Sequence, residues 1–591
     1  MTRNQHKTLP TWNLDDLYLG PDDPTIESDL KIVEGKVKNF AKRYEGNMAS
    51  LEGAELGQAI AEYETMSENF SRIMSYAQLL FAADSENPDV ATFYQNMNER
   101  VTTISTVTLF FELELNRIDD DILVKQIKDP AANKYLPWIE ATRIFKPYQL
   151  TDDLEKILHE KAVAGKAAWS RLFDESMAGM RFDIDGKSVT SSEALSQLSD
   201  PKSEIRKNAA KALGKGLGEN IRLFSLITNT LAKDKEIEDS WRKLPRPVTS
   251  RNLSNQVEDE VVDALAQAVR DSYVNLSHRY YQLKAKWFGV EVMDYWDRNA
   301  PLPEADESKI SWVQAKEMVL NSYNAFDAQL GNVALKFFDN DWIDADPRPG
   351  KDSGAFSHPT VPSVHPYILM NYHGKTRDVM TLAHELGHGI HQILAAPQGH
   401  FLSDTPLTLA ETASVFGEML TFRSLLDNEN DAGKCRIMLA SKVEDMLNTV
   451  VRQIAFYHFE ERVHEERRHG ELSAEKLGKI WMEVQTESLG PAFRYDEEYS
   501  FFWSYIPHFI HSPFYVYAYA FGDCLVNSLY DVFKDGHEGF KGKYVEMLSA
   551  GGTLRHKDLL APFGLDASDP AFWQRGLGVI SGFIDELEQS F

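Results

Sequence analysis

Residues 376–394 read TRDVMTLAHELGHGIHQIL, and this stretch decides how the chain builds around its chemistry. Val379, Met380, Leu382 and Ala383 lead into it, and Ile390, Ile393 and Leu394 continue the apolar side. That spacing predicts a helix that starts soon after Gly374 and runs to about Leu394. Within it, His384-Glu385-Leu386-Gly387-His388 matches H-E-x-x-H. Residues i and i+4 share a helix face, so both imidazoles can point at one ion. Glu385, beside the first histidine, can reach a water on that ion. A Zn2+ ion with three protein ligands keeps its fourth position open for water, whose pKa falls to about 7. The competing reading is a pair of surface histidines. The apolar flanks argue against it, because buried histidines need partners and a metal supplies them.

The third ligand sets the subclass. A metzincin needs Gly at 391 and His at 394, but the chain has His391 and Leu394. The alternative is a glutamate on a second helix. Glu411 lies 23 residues after His388, following the turn residues Asp404, Thr405 and Pro406. It is expected to begin an amphipathic helix and complete a His2Glu site. Glu418, two turns along the same predicted face, either hydrogen-bonds a ligand histidine or stands as an ordinary ion-paired acid. His391 is expected to be a core or supporting histidine rather than a ligand.

A second constellation lies downstream. From Phe493 to Phe521, 13 of 29 residues are aromatic, against 11% in the whole chain. Most such rings are core. Histidines and tyrosines have polar tips, however, and the run holds Trp503, Tyr505, His508, His511, Tyr515, Tyr517 and Tyr519. On a continuous helix His511, Tyr515 and Tyr519 share one face. A hydroxyl or imidazole N–H there would stabilise a tetrahedral oxyanion.

The rest of the chain supplies the frame. Residues 26–125 carry apolar residues at helical spacing, such as Leu30, Ile32, Val33, Val37 and Phe40. Phe182 to Thr190 alternates around Asp185-Gly186 and reads as a hairpin. The division between an N-terminal helical domain and a catalytic domain is placed at 195/196, giving 1–195 and 196–591. The Pro, Gly and Asp-rich segment 337–365 cannot be helical, and Tyr367 to Tyr372 reads as a strand. The fold class is mainly α, with a small antiparallel sheet beside the active-site helix.

Composition excludes other classes. Across 591 residues, 62 Lys and Arg face 90 Asp and Glu, a net charge of −28, so nucleic acid is a poor partner. No stretch approaches the ~20 apolar residues of a membrane helix. Two cysteines, Cys435 and Cys524, and a start without an apolar h-region lead to the expectation of a cytoplasmic protein. Gly214-Lys215-Gly216-Leu217-Gly218 follows a helical stretch, and Gly374-Lys375-Thr376 has Leu369 where a P-loop needs glycine. Neither is a nucleotide motif.

His384 to Gln392 followed by Glu411-Thr412-Ala413-Ser414 resembles the thimet oligopeptidase-like zinc peptidases, and more closely the oligoendopeptidase F family. The likeness extends to Trp12-Asn13-Leu14-Asp15-Asp16-Leu17-Tyr18, to Gly350 through Ser357, and to Pro513 through Tyr519. It also takes in Gly551-Gly552 and Asp569-Pro570-Ala571-Phe572-Trp573. It implies a prolate helical fold split by a deep channel that admits only oligopeptides. It implies His384, His388 and Glu411 as zinc ligands, one zinc per chain, and Glu385 as general base. Transition-state groups map to His508, Tyr515 and Tyr519, and the strand at Tyr367 to Tyr372 is implied to pair with extended substrate. The expected activity is hydrolysis of internal bonds of short peptides. The rivals are a zinc carboxypeptidase or dipeptidyl carboxypeptidase, which needs a positive group for a C-terminal carboxylate, and a non-catalytic helical peptide-binding protein. Glu385 argues against the last, because a structural metal site has no use for a base.

Overall fold

The computed structural model describes residues 9–162, 164–302 and 309–590. Helices dominate it. The first long one, Pro24–Tyr44, is capped by Asp23, whose carboxylate accepts the Thr25 amide. Leu30, Val33, Val37 and Phe40 are buried along one stripe, while Ile32, 200° round from Leu30 at 100° per residue, is 51% exposed.

The chain forms two compact units, each assembled from separated segments. One takes Met1–Lys146, Glu307–Asn428 and Phe533–Gly564; the other takes Pro147–Asp306, Glu429–Val532 and Leu565–Phe591. This partition by compactness is separate from the linear division at 195/196.

In the second unit the hairpin is present as β1 (Phe182–Ile184) and β2 (Lys187–Val189), antiparallel, with Phe182 opposite Val189. Asp185 and Gly186 both have positive φ, 53° and 79°, the pairing a tight hairpin turn requires.

The first unit holds a three-stranded sheet ordered β3 (Ile343–Asp344), β5 (Tyr367–Leu369), β4 (Phe356–His358). It is mixed rather than purely antiparallel. β4 and β5 are joined by a short return loop and run antiparallel, whereas β3 precedes both and lies parallel to β5. The central place of β5 also corrects the expectation that Tyr367 to Tyr372 pairs with substrate. Ile368 and Met370 donate to the carbonyls of Trp342 and Asp344 on one side, and β4 occupies the other. β4 is an edge strand.

Helix α1 (Thr376–Ala395) follows the sheet. Gly374, at φ 85°, turns the chain, and the Asp378 carboxylate accepts the amides of His373 and Lys375 at 2.7 and 2.9 Å. Val379, Leu382, Ala383, Leu386 and Ile390 are buried along one side of α1. A single-turn helix α2 (Leu407–Ala410) and then α3 (Ser414–Asn428) come next. In the second unit the aromatic segment contains α4 (His508–His511) and α5 (Tyr517–Lys534). Among the described residues no helix is long and apolar enough to cross a membrane.

Candidate active site

The site in the first unit is built where α1 meets the turn between α2 and α3. Gly387, between the two motif histidines, makes that approach possible. A Cβ there would lie 2.4 Å from the Ala413 carbonyl oxygen and 2.5 Å from Ser414 Cα. With no side chain in the way, the turn seats against α1 and brings Glu411 over the histidines. Glu411 therefore lies in a break between helices, at the C-cap of α2, and not in the first turn of a longer helix as its sequence context predicts. One hydrogen bond holds the turn and another holds α1. Tyr544 Oη donates to the Thr412 carbonyl at 2.8 Å, and Tyr323 Oη donates to the Ala383 carbonyl of α1 at 2.8 Å.

The donor atoms converge. His384 Nε2 is 3.4 Å from Glu411 Oε2, His388 Nε2 is 3.5 Å from the same oxygen, and all three donors lie within 4.8 Å of one another. Ligands about 2.1 Å from a tetrahedral zinc stand roughly 3.4 Å apart. The spacing exceeds an ordinary hydrogen bond and matches donors arranged around an ion. Ser414 Oγ donates to Glu411 Oε2 at 2.6 Å and holds the carboxylate.

Glu418 reaches the other ring nitrogen: its Oε2 is 3.3 Å from His384 Nδ1. A proton on Nδ1 shared with Glu418 leaves the Nε2 lone pair facing the cluster. Glu418 thus makes the supporting contact considered above, reached from α3. Burial works against a charge on His384, but the Glu418 hydrogen bond and the carboxylates of Glu411 and Glu385 outweigh it and raise its pKa to about 9. His388, without such a bond, is pushed down to about 4 by burial. Glu411 keeps its charge against burial because the two imidazoles favour it.

Glu385 is 6% exposed. The register of β4 on β5 turns the amide and carbonyl of Ser357 away from the sheet, towards α1. The Ser357 carbonyl accepts from Gln392 Nε2 at 3.2 Å, and its amide, turned the same way, favours the charged form of Glu385. Among the described residues Glu385 Oε2 has no hydrogen-bond partner. Burial raises this carboxyl to about 7, so it is poised to exchange a proton near neutrality. His391 is buried among the Thr405 hydroxyl and the Ala410 carbonyl, with its pKa pushed down to about 4 by burial, and it stays outside the donor cluster.

In the second unit, His508, Tyr515 and Tyr519 come together. His508 Nε2 is 3.2 Å from Tyr519 Oη, and the three ring centroids lie 5.3–5.9 Å apart. His511 does not join them. Pro513 and Phe514, at φ 60°, break the helix, so the face shared by His511, Tyr515 and Tyr519 does not form. His511 instead pairs with Asp174 at 2.8 Å. Tyr517 is core, its Oη accepting from Asn255 at 2.8 Å. Ser357, Ser414 and Gly387 are the supporting residues that the motif alone does not reveal, and a glycine inside a helix was their one visible trace.

Residues 196–579 match the family model described as peptidase family M3, and residues 114–182 match that of oligopeptidase F. The chain is 26% identical to oligopeptidase PepF of Bacillus subtilis (strain 168), over 99% of this chain and 88% of that protein. It is 27% identical to an oligoendopeptidase F homolog of Borreliella burgdorferi, over 100% of both. The crystal structure of oligoendopeptidase-F from Enterococcus faecium superposes with a TM-score of 0.71 at 20% identity, covering 96% of this chain and 99% of that one. With the family match spanning well over half of its residues, the chain belongs to peptidase family M3, in the oligoendopeptidase F group, and is a peptidase.

Proposed function

We propose that the chain is a zinc-dependent oligoendopeptidase that cuts internal bonds of short peptides. His384, His388 and Glu411 would hold one zinc, and residues 196–591, which contain every residue of the site, would be the catalytic portion. The observation that carries this reading is the convergence of three donors at 3.4–3.5 Å beside a buried carboxylate with a partnerless oxygen.

Zinc bound there would polarise the scissile carbonyl and bring a water's pKa to about 7. The chain's own residues do the rest. Glu418 fixes the His384 tautomer, and Ser414 holds the Glu411 carboxylate. Glu385 takes the water's proton at Oε2 and passes it to the departing amine. The Ser357 amide steadies the Glu385 charge between those events. His508, Tyr515 and Tyr519 are the proposed hydrogen-bond donors to the developing oxyanion.

The test combines metal content with cleavage of an internally quenched peptide of about nine residues, blocked at both ends, with and without chelator. One zinc per chain and chelator-sensitive internal cleavage are expected. Zinc with trimming of free peptides only would replace this reading by a carboxypeptidase.

A further inference from the structure

The second unit contains a cavity of about 260 Å³ that the peptidase chemistry does not use. Its walls include Arg298, Arg452, Trp481, Gln485, Tyr499 and Phe502. Among the described residues, neither arginine has a carboxylate within ion-pair distance. Arg452 makes, among these residues, a 3.4 Å contact to Tyr505 Oη and lies over the Phe456 ring, and the neighbouring Tyr281, Tyr499, Tyr505 and Tyr495 favour the charge on Arg298 against its burial. Among the described residues, five nearby acids are committed elsewhere. Glu444 is held by Lys284 and Tyr280, Asp297 by Arg206, Asp294 by Arg494, and Asp496 and Glu498 by Lys211.

Two further donors are unsatisfied. Gln485 and Trp481 are each 2% exposed, and among the described residues neither Gln485 Nε2 nor the Trp481 indole N–H has a partner. Buried donors are normally paired, because an unpaired one loses its hydration and gains nothing in return. The two arginines line one cavity in which, among the described residues, the Tyr505 hydroxyl is the acceptor they meet and no carboxylate faces them. Burial, and then repulsion from Arg298, both act against the charge on Arg452. An anion would relieve both.

We propose that this cavity binds a carboxylate carried on an aromatic or apolar body. Guanidinium forks match the planar carboxylate, and the rings of Trp481, Tyr499 and Phe502 offer faces for the attached group. At ~30 Å³ per water, the volume equals about nine waters and suits a residue-sized acid. Such a carboxylate belongs either to a free small acid or to the C-terminus of a peptide. The proposal stands apart from the zinc-peptidase reading, since none of its residues is a proposed metal ligand or catalytic group.

The test titrates the purified enzyme with N-acetylphenylalanine and with its amide, following tryptophan fluorescence and calorimetry, with and without EDTA. Saturable binding of the acid, at least tenfold tighter than the amide and insensitive to EDTA, is expected. Arg298→Gln and Arg452→Gln should each weaken it at least tenfold. An acetylated tripeptide with a free C-terminus that competes for the site identifies peptide termini as the source; failure to compete identifies a free acid, and both outcomes fit the proposal. Equal binding of acid and amide, binding lost with EDTA, or binding of chloride or phosphate but not of the acid would overturn it. A crystal soaked in 4-bromobenzoate gives a readout independent of the variants: a bromine peak in the cavity supports the site, and peaks only elsewhere refute it.

Discussion

Replacing Gly387 by Ala sets two physical effects against each other. On helix propensity alone, alanine in mid-helix is favoured over glycine by about 1 kcal/mol. The surroundings reverse that sign. The new Cβ would stand 2.4 Å from the Ala413 carbonyl oxygen, and an ordinary contact needs about 3.4 Å, so the turn must retreat by roughly 1 Å. The obstructing atoms are backbone, and the Tyr544 hydrogen bond to the Thr412 carbonyl resists the shift, so no side-chain rotation relieves the clash. Zinc sites hold their donor distances to about 0.2 Å. A 1 Å retreat of the turn carrying Glu411 therefore removes the proposed third ligand or leaves it at poor geometry. Overpacking of this kind costs about 1–3 kcal/mol of stability. The expected outcome is a folded protein with a lowered melting temperature whose zinc affinity falls at least 100-fold, by chelator competition and metal analysis, with unchanged far-UV circular dichroism. If the variant binds zinc within about threefold of the parent, the close seating of the turn on α1 does not control the site, and the argument from Gly387 is wrong.

Glu385→Gln is expected to keep zinc while kcat drops at least 10²–10⁴-fold, as loss of a general base does. In the parent, Glu385 must be ionised to act and burial raises its pKa to about 7. The rate should therefore be full above neutrality and fall on acidification, the bound cation placing this limb between about 4.3 and 7; a kcat/KM profile still flat down to pH 4 would count against the role. Zinc needs His384 neutral, yet without metal its pKa is raised to about 9. Zinc binding at pH 7 should thus release a proton, visible as a buffer-dependent heat, and affinity should climb with pH up to about 9. Glu418→Gln should weaken zinc about 10–100-fold and shrink that proton release. Tyr519→Phe and His508→Gln are each expected to lower kcat by about 10²–10³ with zinc content unchanged, whereas His511→Gln should leave kcat near the parent value.

The parts of the site legible in the sequence are those set by short-range geometry. His384, Glu385 and His388 lie on one helix, so their relation follows from 3.6 residues per turn. Glu411 was reachable by its place after the motif, but its local structure was not. Its turn is shaped by contact with Gly387, 24 positions earlier, and a helix-period reading extends α3 backward through it. The same reading assembled His511 with Tyr515 and Tyr519, although Pro513 lay between them. A proline inside a helical pattern ends or kinks the helix, and Pro513 marks that break in the sequence. The pairing of Ser357 with Glu385 and Gln392 depends on β4 forming the edge of a three-stranded sheet, and no local period reports which strand takes the edge.

Glycine is the point at which the long-range contact leaves a mark. A helix interior disfavours it by about 1 kcal/mol, so Gly387 and Gly389 between and beside the motif histidines ask for a reason outside the helix. The structure supplies one for each: the Glu411 turn would meet a Cβ at 387, and the Phe337 ring would meet one at 389 at 2.4 Å. α1 is therefore approached at these two positions by unrelated elements, a polar turn at one and an aromatic ring at the other. The polar contact brings Glu411 to the two histidines, while the aromatic one brings an apolar ring against the same helix. A buried His2Glu cluster needs both kinds of contact: donors must be held at ion-binding distances, and bulk water excluded enough for Glu385 to titrate near neutrality. The two glycines mark the positions where the helix yields space for each.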